Sequence, residues 1–460
     1  MSNIKYIATG AITQQVFSCF ILILLTRSLG ADGYGQIVTF LAITTTIFNF
    51  STNWVIPFVI RTESIHYSNT SKIGKAFSIP FLISFVLLMV AWGFIAYGPF
   101  KQFGNINAIS KLGLLGFSVG FFAYQIAKTG YQIQQNFKSY GLMMILDKVV
   151  LLFGIAGLIL LNNTSLNYVF WTYSLSSLLV GVVFLLHCLF KKISNVNSSF
   201  NVKEYLKSVS SVALSVIIYY FSTQPFVILV SQHAAETHLA AWLGIGYVML
   251  GVLLQPFMWL APTLLPKFSV EVNRYNAKLL MSSYIENTVL PANALLLWSV
   301  VVIIFIITFS PQLLSFLGKG FQGGEIIISL LLLSALPDAI NMLLIQIIYA
   351  KKQENMVILM AIFKVMPFII GYLLKQSMEI ELILLNLGGW IGIGINLFLI
   401  RGYLKPYLVL RFMVIFDLSL LMIYVLLSSQ IKELAIYVLI GLILPIFFYF
   451  RKIAFFFEII

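Results

Sequence analysis

Residues 77–98 contain no charged side chain, and stretches of similar length and apolarity recur from one end of the chain to the other. An uninterrupted membrane helix takes about 20 apolar residues. Fourteen such helices use about 280 of the 460 positions and leave connections of about a dozen residues each. Only 9% of the residues are charged, against about 25% in a globular chain. A large soluble domain, a receptor ectodomain and a fused ATPase are thereby excluded. The chain reads as an all-α polytopic membrane protein of 12 to 14 transmembrane helices, with its function inside the bilayer.

Windows matched to the bilayer thickness place spans at about 8–26, 37–59, 77–98, 112–132, 145–161, 167–189 and 209–230, then at about 240–262, 288–309, 326–350, 356–374, 382–400, 412–428 and 434–450. The longest polar connections are 190–208 and 264–287, and residues 271–285 form a candidate surface helix. With the N terminus placed inside, nineteen of the 28 basic residues fall in cytoplasmic loops and six outside (Arg27, Lys101, Lys111, Lys319, Lys375, Lys432). That bias puts both termini in the cytoplasm. It also accounts for the net charge of +13 without nucleic acid. Cys19 and Cys188 lie in apolar stretches and read as small hydrophobes rather than a disulfide. The first span follows one lysine and lacks a cleavage pattern, so it is expected to be retained.

Polar groups at membrane depth are expensive and point to a pathway. Thr45, Asn49 and Asn53 recur every four residues in span two, followed by Pro57 and Arg61. Gln125, Lys128 and Gln132 share one face of span four. Ser334, Asp338 and Asn341 share one face of span ten, with Pro337 beside the acid. Lys128, Lys148 and Lys364 lie within spans, toward their cytoplasmic ends, where snorkelling to the interface is the alternative. Asp338 reads either as an ion-coupling acid facing a cavity or as a packing group paired to one of those lysines. Prolines and aromatics in spans seven and eight (Tyr219, Tyr220, Pro225; Pro256, Trp259, Pro262) bend helices and offer rings for sugars, though most aromatics pack or sit at interfaces.

Tyr131–Lys148 and Ile347–Lys364 share a pattern of span end, polar loop and lysine about two turns into the next helix. Their offset, 364 − 148 = 216 residues, suggests a repeat of six spans about an axis along the membrane normal. No GxxxxGK[ST] phosphate loop occurs, and His233 and His238 fit no ordinary zinc site. No metal or cofactor is expected.

Leu25-Thr26-Arg27-Ser28-Leu29-Gly30-Ala31-Asp32-Gly33-Tyr34-Gly35 resembles the "L-x-R-x-L-G…Y-G" segment of polysaccharide flippases. These belong to the multidrug/oligosaccharidyl-lipid/polysaccharide exporter superfamily. Leu265-Pro266-Lys267-Phe268-Ser269 resembles the family's "P-x-x-S" exit from span eight. Leu314-Ser315-Phe316-Leu317-Gly318 resembles its outer loop before span ten, and Ala350-Lys351-Lys352-Gln353 the turn after it. The chain departs from the pattern at Thr223-Gln224-Pro225, where many relatives carry an acid, and at Ala240-Ala241-Trp242, where they carry Gly-x-Tyr.

The resemblance implies two six-helix bundles, 1–207 and 208–400, around a central cavity, with two further helices in 401–460. It implies alternating access that moves an undecaprenyl-pyrophosphate-linked oligosaccharide, an O-antigen or capsule precursor, across a bacterial inner membrane. A polysaccharide polymerase and a chain-length regulator are the partners of such a pathway. Arg27 matches the arginine ending the first helix in lipid-linked precursor flippases. A diphosphate needs cationic partners. Arg27, Arg61, Lys128, Lys148 and Lys364, with Gln125, Asn49 and Asn53, are therefore the candidate substrate contacts, and Asp338 the ion-coupling acid. The rival readings are a cation-coupled multidrug exporter of the same superfamily, which usually places carboxylates in its cavity, and a membrane polymerase or glycosyltransferase, which usually needs a long outer loop.

Overall fold

The computed structural model describes residues 2–97, 108–189, 202–220, 237–274, 304, 312, 314–318, 321–350, 354–374 and 376–399. The regular elements among them are helical, the arrangement that satisfies every backbone polar group within its own segment in hydrocarbon. Helix α1 (Ser2–Phe48) continues into a π-turn at Asn49–Asn53. It is followed by α2 (Ile56–Thr70), α3 (Lys75–Tyr97), α4 (Ala108–Ile133), α5 (Phe137–Leu160), α6 (Leu166–Leu189), α7 (Val202–Tyr220) and α8 (Thr237–Arg274). Beyond these lie α9 (Glu325–Leu333), α10 (Ala335–Ala350), α11 (Glu354–Leu373) and α12 (Met378–Leu399).

Eight stretches among the described residues are long and apolar enough to cross a membrane. The first, Lys5–Asn53, has 49 residues. At 1.5 Å per residue it would be about 73 Å long if straight, more than twice the roughly 30 Å hydrocarbon layer. It must cross twice, and the helix breaks at Gly30, whose φ of 69° lies in the left-handed region. The connection expected between spans one and two is thus almost entirely helical up to this single break.

Other boundaries also move. α5 starts at Phe137, eight residues before the expected span, because Asn136 caps it by accepting from the Ser139 amide and Phe137–Ile145 is apolar enough to continue the helix. Span two does not end in a loop: after the π-turn, Pro57 opens the separate helix α2. α8 runs unbroken to Arg274, so the stretch from 264 to 274 is helix rather than loop. The remainder of the expected surface helix, nearly all of span 288–309, the whole of 401–460, and Thr223-Gln224-Pro225 with His233 lie outside the described residues.

In the first part of the chain α1 packs on α5 and α4 on α6; in the second, α8 packs on α9 and α10, and α11 on α12 and α7. The two parts meet chiefly where α1 and α2 lie against α8. Leu82, Val86 and Val90, spaced four apart on α3, are exposed apolar side chains, a ridge suited to lipid. Within a mostly apolar interior lie buried Ser, Asn, Asp, Arg and Lys side chains. These buried polar groups decide where to look for function, because charge is costly in hydrocarbon and is tolerated where the protein can pair or solvate it.

Candidate functional site

The first polar centre joins α10, α11 and α12. Pro337 has no N–H for the Leu333 carbonyl and its ring would crowd that turn, so the helix breaks at Ser334 and divides span ten into α9 and α10. Ser334 donates its hydroxyl to the Leu331 carbonyl at 2.7 Å. One turn on, Asp338 is buried and accepts a hydrogen bond from the ammonium of Lys364 on α11, which is 2% exposed. Lys364 therefore does not snorkel to an interface. It lies in the middle of its helix, facing an acid on the neighbouring one. Asn341 donates to the Gly389 carbonyl at 3.3 Å, and Asn386 donates to those of Leu330 and Leu382, each at 2.9 Å. α12 comes close enough for this because Gly388 lies directly against the Lys364 backbone; a β-carbon there would overlap the Lys364 carbonyl oxygen.

A second centre lies in the first half. Lys148 pairs with the adjacent Asp147 at 2.9 Å. Asp147 is buried, its carbonyl accepts from Ser176 at 2.9 Å, and its carboxylate lies within electrostatic reach of Tyr124 and Tyr173. On α4 the ammonium of Lys128 sits 5.4 Å from the centre of the Tyr140 ring, with Gln125 half-buried and Gln132 buried on the same face. Lys148 and Lys364, equivalent under the 216-residue offset, are both ion-paired. Lys148 keeps more exposure, 23% of its side chain against 3%.

The remaining candidates lie where the two halves meet. Arg27 donates through Nε and Nη2 to the Phe316 carbonyl at 3.2 and 3.1 Å, and its guanidinium lies 4.5 Å from the centre of the Phe316 ring. Beside it, Tyr34 meets Phe321 edge-on at 6.4 Å. About 18 Å along α1 from Arg27, at twelve residues of helical rise, Gln15 accepts from Gln255 at 3.2 Å and donates to the Val248 carbonyl at 3.1 Å. At the end of the molecule where the chain begins, the buried Arg61 donates to the Tyr349 carbonyl at 3.3 Å. Nearby, Phe58 meets Tyr205 edge-on at 5.2 Å. Asn49 is buried and Asn53 half-buried in the π-turn, whose altered winding removes the regular four-residue register expected with Thr45.

Two further acids stand outside the sequence candidates. Asp147 falls near the edge of a span that hydropathy begins too late; with α5 starting at Phe137 it is central. Glu63, fully buried on α2, accepts from the Gly74 amide at 2.8 Å and faces the Ala76 and Phe77 amides, so it fastens α2 to the first turn of α3. Burial pushes its carboxyl above the usual range, against the opposing effect of those amides and of His66. Its place between Arg61 and Lys72, in a stretch that reads as a loop, hides it in the sequence. Among the described residues no three His, Cys, Asp or Glu side chains are grouped to hold a metal ion.

No protein-family model matches the chain, and no curated protein matches it in sequence. Solved structures do match in fold. The MATE multidrug transporter DinF-BH superposes with a TM-score of 0.65 at 14% identity, covering 88% of this chain and 96% of the other. A mutant of the Vibrio cholerae MATE transporter VcmN gives 0.60 at 13% identity, covering 88% and 97%. The lipid II flippase MurJ, in an inward closed conformation, gives 0.53 at 13% identity, covering 97% and 99%. The described helices thus share the all-α fold of these solved MATE and MurJ structures.

Proposed function

We propose that this chain is an alternating-access transporter whose cargo is an anionic, lipid-linked oligosaccharide, moved between the leaflets of a bacterial inner membrane. The observation that carries the reading is the company two of its cations keep. Arg27 rests on a main-chain carbonyl and a phenyl ring, and Lys128 on a tyrosine ring. Neutral partners of that kind leave a full positive charge to be answered by a phosphate. Arg61, Lys148, Gln125, Asn49 and Asn53 extend the polar lining along both halves. The Lys364–Asp338 pair is the coupling unit, a buried acid and base that exchange a proton or cation as the halves rearrange. An O-antigen or capsule repeat unit is the cargo class in keeping with the sequence resemblance, with a polymerase as the next protein in the path.

A multidrug exporter is the second reading, and on fold alone it has the better support, since the MATE structures superpose with higher TM-scores than the flippase. Against that stand the 97% coverage of this chain in the flippase match and the cations held by neutral groups. Proteoliposomes loaded with a fluorescent polyprenyl-diphosphate oligosaccharide, or separately with a cationic dye, decide between them. Movement of the lipid that falls on Lys128→Ala at unchanged protein level supports the first reading. Dye efflux without lipid movement replaces it with the second. Full lipid transport in single alanine variants of all five cations removes the electrostatic argument.

A further inference from the structure

The two halves answer the equivalent lysines from different helices. Under the 216-residue offset, α4 (Ala108–Ile133) falls on 324–349 and α5 (Phe137–Leu160) on 353–376, against 325–350 for α9 with α10 and 354–373 for α11. Position 338 then corresponds to Phe122, and position 147 to Phe363. Each half therefore keeps one acid at its lysine, but Asp338 reaches Lys364 from the neighbouring helix, whereas Asp147 precedes Lys148 on the same one. Consecutive helical residues point about 100° apart, so Lys148 meets Asp147 by folding its flexible stem back. It can swing away without any helix moving. Its exposed part also opens away from the side suited to lipid. Lys148 shares the side of α5 that carries the buried Met144, Leu151 and Ile155, and lies about 120° or more round the helix from the exposed Leu142 and Phe153.

We propose that Lys148 and Asp147 form a cargo–proton exchange site: a cargo phosphate takes the ammonium from the carboxylate, and the carboxylate takes a proton from water. The inference rests on the anionic-cargo reading and deepens it, by assigning where cargo binding is tied to proton uptake. The exchange balances in charge. Phosphate oxygens replace the carboxylate as partners of the ammonium, and the new O–H neutralises the acid left behind. The groups around Asp147 require that second step. Tyr124 of α4 and Tyr173 of α6 lie within electrostatic reach of its carboxylate, Ser176 donates to its main-chain carbonyl, and Tyr34 of α1 lies within electrostatic reach of Tyr173. None of these brings a positive charge. Lys128 stands over Tyr140, about 10 Å back along α5 at seven residues of helical rise. A buried carboxylate that loses its ammonium among neutral groups is costly, and a proton removes that cost. Lys364, with 3% of its side chain exposed, is closed to an incoming phosphate; Lys148, with 23%, is within its reach.

The test uses the full chain in lipid nanodiscs and a fluorescent polyprenyl-diphosphate oligosaccharide, whose phosphates are both esterified and keep a constant charge near neutrality. Binding is read by energy transfer from the protein's tryptophans, and proton uptake by a pH indicator in weakly buffered solution, with empty nanodiscs as the blank. The native chain should take up about one proton per lipid bound, and its affinity should fall by up to about tenfold per pH unit as pH rises. Asp147→Asn should bind with neither proton uptake nor pH dependence. Lys148→Gln should lose affinity by about tenfold or more, the equivalent of one charge-assisted hydrogen bond. Where its uncompensated acid prevents folding, Asp147→Asn/Lys148→Gln carries the same expectation. Asp338→Asn/Lys364→Met, which leaves this site intact, should retain the uptake. Binding without proton uptake in the native chain overturns the exchange and leaves the cargo reading standing. Uptake that persists in Asp147→Asn, or that vanishes in Asp338→Asn/Lys364→Met, assigns the proton elsewhere and overturns it too, as does undiminished binding in the Lys148 variants. Absent binding of the diphosphate lipid to the native chain overturns the cargo reading itself.

Discussion

At the scale of single residues, the Lys364–Asp338 pair is the most exposed to disruption because both partners are buried. Asp338→Asn leaves an ammonium in a site that is 2% exposed, and breaking a buried pair in this way costs about 3–5 kcal/mol. The double variant Asp338→Asn/Lys364→Met removes both charges. It is expected to recover most of the thermal stability in detergent while remaining inactive in transport, which separates packing from coupling. Recovery of transport along with stability would make the pair purely structural. Glu63 gives the opposite dependence on charge. Its carboxyl is raised in the folded protein, so folding favours the protonated form. The associated stability is present below the ordinary glutamate range and is lost as pH rises through the folded value. Melting temperature should therefore fall on that rise in the native chain. Glu63→Gln, which still accepts the Gly74 amide, should flatten that part of the curve; an unchanged curve would mean that Glu63 does not titrate there. Spacing and an adjacent proline make Asp338 and its lysine candidates legible in the sequence, but which lysine answers the acid is a matter of three-dimensional neighbourhood. Asp147 is hidden for a simpler reason: its helix begins eight residues earlier than hydropathy suggests.

At the scale of elements, helix breaks follow the chemistry of the chain. Pro337 divides span ten, and Gly30 divides one 49-residue apolar stretch into two crossings. Prolines announce such breaks in the sequence; the π-turn at Asn49–Asn53 does not, since it has no compositional marker and depends on how α3 and α7 pack against it. The α11–α12 contact depends on Gly388, and here a β-carbon meets main chain, which cannot rotate away. Gly388→Ala must push the helices apart at Lys364 and is expected to destabilise by about 1–3 kcal/mol, with Gly388→Leu failing to yield folded protein. Thermal melting monitored by size-exclusion recovery measures both. A stable, active Gly388→Leu variant would show that α12 does not approach α11 so closely.

At the scale of the whole molecule, the two parts of the chain touch through Arg27, Arg61 and the Gln15–Gln255 pair, and the proposed alternating-access transport requires them to separate at one end while staying together at the other. Gln15 and Gln255 are the natural place to arrest that motion. A cysteine pair at these two positions, in a background without Cys19 and Cys188, should lose transport on oxidation or short bismaleimide linking. The disulfide-linked form should recover it on reduction; transport undiminished by complete linking would mean that α1 and α8 need not part there. The sequence alone shows that the chain is helical, lipid-embedded and many times crossing, because hydrocarbon forces long apolar runs into helices and leaves charge at only a few positions within them. It also marked most of those positions. Which charge faces which follows from the packing of the helices in three dimensions. Ion pairing and hydrogen bonding between residues 26, 288 and 289 positions apart depend on the rotation and depth of neighbouring helices, which small residues such as Gly388 set through packing and which no periodicity within a single span encodes.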